Sequence, residues 1–214
     1  MTLALRTAFD VAEKFMKSPK YVTLGDNEVF EKVSRSLLDQ VAETGSKLEG
    51  APIIDGKPLS IEDTVIYELL ASSVNYCYWY GTPFIRPNDA SSTLMYKCLD
   101  DAFLFSSWPR YAIERFQYNL VKNRFPLIEK RIEHLDQVAK FFLQHPISIF
   151  NKIDVTGTID LLINMPTFAS DIFVKRASLF CMRMNNRFGW YKEDLSKLPV
   201  PADYQVPKIM KHLG

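Results

Sequence analysis

The chain has 214 residues, and its 26 Lys and Arg against 25 Asp and Glu leave a formal charge of +1, so composition carries no general attraction to nucleic acid. Its length suffices for a well-buried core, and a hydrophobic share of 47% is ordinary for a globular protein. No apolar run is long enough to span a bilayer and no signal-peptide pattern opens the chain, so a cytoplasmic protein without a membrane partner is expected.

The N-terminal stretch holds a short amphipathic segment, Leu3 to Met16, ended by Ser18-Pro19. From Asn27 a helical period places Val29, Phe30, Val33, Leu37, Leu38 and Val41 on one face. Gly, Pro and small polar residues from Thr44 to Pro58 read as a loop, with room for a small hairpin over Gly50–Pro58. Ser60-Ile61-Glu62-Asp63 is a capping-box-like start to a strongly apolar helix through Ile61, Val65, Ile66, Leu69, Leu70 and Val74. That helix is expected to run on into Asn75-Tyr76-Cys77-Tyr78-Trp79-Tyr80, the densest aromatic cluster in the chain, buried on most faces. Asn75 is the odd member: it braces a loop or touches a ligand.

Asp89 or Ser91 caps the next helix, which carries Leu94, Met95, Cys98, Leu99 and Phe103 and is broken at Trp108-Pro109. A further segment holds Tyr111, Phe116 and Leu120. Around it stand Arg110, Arg115, Lys122 and Arg124, which form either a solvated charged face or a phosphate contact. Pro126 is expected to start the clearest helix, with Leu127, Ile128, Ile132, Leu135, Val138, Phe142 and Leu143 in register, ending before His145-Pro146. A helix near Gly157–Met165 is closed by Pro166. Asp171 then opens a long helix with Ile172, Phe173, Leu179, Phe180 and Met184 inside and Gly189 as its stop.

Pro199, Pro201 and Pro207 frame a stiff corner that holds Asp203 near the positive end of a short helix. A carboxylate there caps the helix or offers a ligand one fixed acceptor, and Tyr204 beside it stacks on a planar base or covers the core. The expected class is all-α, a single compact multi-helix domain over residues 1–214, with 1–25 as a peripheral N-terminal segment.

Chemistry is constrained by what is missing. There is no P-loop, dinucleotide-binding glycine pattern, nucleophile elbow or zinc pattern. His134, His145 and His212 lack metal-ligand spacing, and Cys77, Cys98 and Cys181 lie far apart, as suits buried free thiols in a reducing compartment. Neither a metal nor a cofactor is expected, which leaves carboxylate chemistry or binding without chemistry.

Five of these pieces, in order, resemble the queuosine salvage family, the queuosine 5′-phosphate N-glycosidases, whose fold is related to helix-hairpin-helix DNA glycosylases. Val74-Asn75-Tyr76-Cys77-Tyr78-Trp79 is similar to the family's Leu-Asn-Phe-x-Phe-Trp block, and Phe125-Pro-Leu-Ile-Glu-Lys-Arg131 to its central Pro-Leu-x-Glu-Glu-Arg helix. Met165-Pro-Thr-Phe-Ala-Ser-Asp171 is similar to its Phe-Pro-Ser-Phe-x-Asp turn, and Phe173-Val-Lys175-Arg176-Ala177 to its Phe-x-Lys-Arg-Ala signature. Ala202-Asp203-Tyr204-Gln-Val-Pro207 is similar to its Ala-Asp-Tyr-Arg-x-Pro motif, with Gln205 in place of the arginine.

The resemblance implies a DNA-glycosylase-like fold over residues 26–214 and recognition of a modified purine nucleotide. It implies that Asp203 and Tyr204 contact a deazaguanine base, that the block containing Asn75 and Trp79 walls the pocket, and that Lys175 and Arg176 serve the phosphate or brace the fold. Family members continue into a further helical segment carrying the catalytic aspartate, for which this sequence has no matching position. Cleaving a ribose–base bond builds positive charge on the sugar and calls for a carboxylate facing C1′. Asp203 is the first candidate for that task, with Asp100 and Asp101 as others, although adjacent acids on a helix usually form a solvated edge. The implied activity is a nucleotide N-glycosidase, a hydrolase. The alternative is a noncatalytic or partner-dependent subunit of a nucleic-acid base modification system, in which a second subunit supplies the missing segment.

Overall fold

The computed structural model of the chain describes residues 50–80, 89–105, 109–171, 174–191 and 197–198. Among them it is mostly helical, with a single two-stranded sheet. Strands β1 (Ile53–Ile54) and β2 (Lys57–Pro58) form an antiparallel hairpin within the stretch expected to hold one. Its turn carries Asp55 and Gly56 at positive φ, as a tight two-residue hairpin requires. The amphipathic segments expected before residue 50 and the corner around Asp203 lie outside the described residues.

Helix α1 (Ile61–Val74) is the axis of the molecule. Ser60 caps it: its Oγ accepts from the Asp63 N–H at 3.0 Å and donates to the Asp63 carboxylate at 2.7 Å. From Thr64 to Val74 every residue is buried, because α1 is packed on several sides at once. Helix α4 (Ile128–Gln144) and helix α7 (Lys175–Phe188) lie against it, with lesser contacts from α2 (Ser92–Leu104) and α3 (Pro109–Lys122). Helices α2 and α3, consecutive in the chain, form a closely packed pair; α3 also packs on α4, and α5 (Val155–Ile163) on α7. A buried carboxylate fixes α7 on α1. Glu68, wholly inaccessible, takes Arg183 at 3.1 Å and Arg187 at 2.7 Å, and Arg187 also donates to the Gly50 carbonyl.

Several boundaries differ from the sequence expectation, each for a local reason. Helix α4 starts at Ile128, after Leu127 in the left-handed region, because Arg124 and Leu127 both turn at positive φ between α3 and α4. Pro126 therefore lies in the turn and not in the helix. Leu143, expected on the inner face of α4, is 87% exposed; on α3, Phe116 and Leu120 are buried and Tyr111 points outward. Pro166 does more than close α5: it opens a one-turn helix, α6 (Pro166–Ala169), its missing N–H costing nothing at the first position. Of the two candidate caps for α2, Ser91 is the one that accepts from the Leu94 N–H. Gly189 ends α7 in the left-handed conformation, as its position predicts.

The aromatic block departs most. Helix α1 stops at Val74, and residues 75–80 leave it as non-helical chain with Cys77 at positive φ. The expectation of a continuing helix is corrected here. The carbonyls that would have accepted helical N–H groups are taken by an arginine from another helix.

Candidate functional site

That arginine is Arg131, on α4. Its Nε donates to the Pro126 carbonyl at 2.8 Å. Its Nη1 donates to Val74 O, and its Nη2 to Tyr76 O and to Cys77 O. The side chain is completely buried, and no carboxylate among the described residues lies within ion-pairing distance. Carbonyl dipoles and aromatic faces carry the charge instead: the guanidinium carbon lies 4.6 Å from the Tyr76 ring, 5.2 Å from Tyr78 and 5.5 Å from Phe125.

A second buried arginine, Arg176 in the first turn of α7, approaches the same loop from the other side. Asp171 accepts from its backbone N–H at 2.7 Å and lies 3.5 Å from its Nε. Its Nη1 donates to the Ser73 carbonyl at 3.1 Å, and its Nη2 to Ser170 Oγ at 2.9 Å. Asp171 does not open α7 as the sequence suggested; the helix starts at Lys175 after Val174 in the left-handed region, and Asp171 stands in the turn before it, serving the Arg176 backbone N–H and the guanidinium together. The Tyr76 ring lies 5.2 Å from this second guanidinium, so one phenol is flanked by two buried cations.

His134 completes the cluster from α4, its Nδ1 at 3.4 Å from Arg176 and its ring 5.4 Å from Tyr76. Burial, followed by the Arg176 charge, pushes its imidazole down to about 4. It is therefore neutral near pH 7. Burial also raises the Tyr76 phenol above its ordinary value, the two arginines opposing this. The Tyr76 hydroxyl is buried without a hydrogen-bond partner among the described residues.

The expected site residues fall as follows. Asn75 caps the C-terminal end of α1 and its Oδ1 accepts from the Tyr78 hydroxyl at 2.8 Å, the bracing role; Trp79 is half-buried against the core. Arg176 is buried with its donors directed at protein groups, again as a brace, while Lys175 beside it is half-buried. Asn75, Trp79, Lys175 and Arg176 thus belong to one neighbourhood; Asp203 and Tyr204 lie outside the described residues. Asp100 and Asp101 are on α2, away from this cluster. Asp100 accepts from the Tyr67 hydroxyl at 2.6 Å, and Asp101 accepts from Arg115 at 3.0 Å and Asn119 at 2.8 Å.

Arg131 and His134 carried no individual role in the sequence reading, and Tyr76 counted only as part of the aromatic block expected to wall the pocket. The signal was there: Arg131 and His134 interrupt the apolar stripe of Ile128, Ile132, Leu135 and Val138, and a polar residue on an inner face needs partners. All three cysteines are free thiols, and among the described residues no group of His, Cys, Asp and Glu could hold a metal ion. No helix among them is long and apolar enough to cross a membrane. No protein-family model, curated protein or solved structure matches the chain.

Proposed function

We propose that the chain recognises a modified purine nucleotide of queuosine type and acts as a nucleotide N-glycosidase with a DNA-glycosylase-like helical core. One observation carries this reading. Four of the five segments that resemble the queuosine salvage family, far apart in sequence, meet around Tyr76. Arg131 of the central-helix segment holds the carbonyls of the aromatic block; Arg176 of the Lys-Arg-Ala segment holds Ser73, Ser170 and Asp171.

The division of labour follows from burial. Arg131, Arg176 and Asn75 position the loop, since their polar atoms meet protein groups. Half-buried Trp79 offers an aromatic face for a flat base, and Lys175 a cation at the edge of the cluster. Asp203 and Tyr204 read the base, and the Asp203 carboxylate stabilises the positive charge that develops at C1′ as the glycosidic bond breaks.

The test incubates the purified chain with queuosine 5′-phosphate and quantifies released queuine by mass spectrometry. The expected result is release that disappears in Asp203→Ala and persists in the exposed hairpin control Lys57→Ala. Absence of release, with queuosine 5′-phosphate still bound, assigns the chain to the partner-dependent form. Absence of both release and binding overturns the reading.

A further inference from the structure

We propose that the groove between α2 and α3 binds single-stranded nucleic acid, a function that goes beyond the nucleotide site and does not rest on it. The groove is a cleft of about 210 Å³ whose lining includes Lys97, Asp101, Arg115, Asn119 and Lys122. Three cations face one carboxylate, and that carboxylate is already committed. Asp101 takes the Asn119 amide at 2.8 Å and the Arg115 Nε at 3.0 Å, bonds that hold its carboxyl below the usual carboxylate range. Lys97 and Lys122, both exposed, leave the groove positive on a chain whose overall charge is only +1.

Arg115 is oriented by that bond to Asp101. Among the described residues, none accepts a hydrogen bond from its two terminal amino groups, which leaves them available to a phosphate. Its guanidinium lies 5.4 Å from the Phe105 ring and 5.4 Å from the Tyr118 ring. Phe105 is 70% exposed and Tyr118 55% exposed. Tyr111, Arg115, Tyr118 and Lys122 recur at spacings of four, three and four residues, so cations and rings alternate along one exposed stripe of α3. The scaffold beneath is rigid, because buried Asn119 donates to the Cys98 carbonyl at 2.8 Å and ties the two helices together.

Alternating cations and exposed aromatic rings match a single strand, whose phosphates and unstacked bases engage both. A duplex keeps its bases stacked inside and cannot use Phe105 and Tyr118. An acidic peptide satisfies the cations but has no planar groups for the rings.

The test uses the full chain and fluorescence anisotropy with labelled oligonucleotides of about 12 nucleotides: single-stranded RNA, single-stranded DNA of the same sequence, and the duplex. Single strands are expected to bind more tightly than the duplex. With three phosphates neutralised at about 0.7 each, affinity falls roughly twentyfold between about 50 and 200 mM salt. Phe105→Ala and Tyr118→Ala each weaken binding about tenfold, and Lys97→Glu with Lys122→Glu removes it. Unfolding midpoints of these variants should match the parent, since the residues are exposed. The RNA and DNA arms identify the natural strand, and binding that survives excess queuosine 5′-phosphate separates this groove from the nucleotide site. The proposal is overturned by no binding at about 100 μM protein, by binding indifferent to all four substitutions, or by sedimentation showing a dimer that Phe105→Ala and Tyr118→Ala dissociate.

Discussion

The Arg131 guanidinium lies 4.6 Å from the centre of the Tyr76 ring and also donates a hydrogen bond to the Tyr76 carbonyl, so one side chain fixes both the face and the backbone of the aromatic loop. It is further bonded to Pro126, Val74 and Cys77. Arg131→Ala leaves several buried carbonyls unsatisfied, a loss of at least about 3 kcal/mol. Arg131→Lys recovers only part of it, because an ammonium with three donors cannot serve the four carbonyls a planar guanidinium reaches. Urea unfolding reads both as lowered midpoints at an unchanged slope. A midpoint shift worth less than about 1 kcal/mol for the alanine variant would deny Arg131 its bracing role.

His134 makes stability depend on pH in a defined direction. Its folded-state value of about 4 lies below the ordinary 6.5, so the unfolded chain binds the extra proton in between. The groups facing it are Arg176, Lys130, Glu133, the Ser73 backbone and the Tyr76 ring. Its stabilising contribution is complete above pH 6.5 and is lost as pH falls toward 4. The difference in unfolding free energy between the parent and His134→Gln should therefore shrink across that window. A difference that stays constant would mean that His134 titrates normally in the folded protein.

Glu68 is the inaccessible acid between Arg183 and Arg187. Glu68→Gln leaves two guanidiniums, one of them almost buried, facing a neutral amide. The expected cost is about 3–5 kcal/mol, read as a drop in melting temperature of roughly 10 °C. A drop within about 2 °C would show that the pair holds no more than a surface ion pair does.

At Gly189, φ is +69° and an added Cβ would meet no atom within 4 Å, so only backbone strain opposes a side chain. Gly189→Ala should lower stability by about 1 kcal/mol, while Gly189→Asn should lose less because asparagine tolerates the left-handed region. Equal losses in thermal melts would point to contacts rather than to φ.

Much of the fold was legible because local chemistry and tertiary packing agree. Ser60 bounds its helix through its hydroxyl and Gly189 through its freedom to adopt positive φ, and Gly50–Pro58 supplies the hairpin turn. The failures are places where a distant residue decides. Nothing in Asn75–Tyr80 ends a helix as proline would; Arg131, far away in sequence, captures the carbonyls of the emerging chain. Leu143 was counted in the helical period, but the buried face of α4 runs through Arg131, His134, Leu135, Val138 and Phe141, and Leu143 falls off that face into solvent. The resemblance singled out Asn75, Trp79, Lys175 and Arg176 and included Arg131 only as the end of a segment, whereas the supporting roles of Arg131 and His134 show in the sequence as polar interruptions of an apolar stripe.

If the loop held by Arg131 and Arg176 presents an aromatic wall to a deazaguanine nucleotide, binding must depend on Trp79. Calorimetric titration of queuosine 5′-phosphate into the parent chain and into Trp79→Ala measures that dependence, with guanosine 5′-phosphate as the reference ligand. The expected outcome is preference for the queuosine nucleotide, an affinity about tenfold weaker in Trp79→Ala from lost stacking, and near-parental folding of that variant. Equal affinity for both nucleotides, or unchanged affinity in Trp79→Ala, would contradict the aromatic-wall assignment.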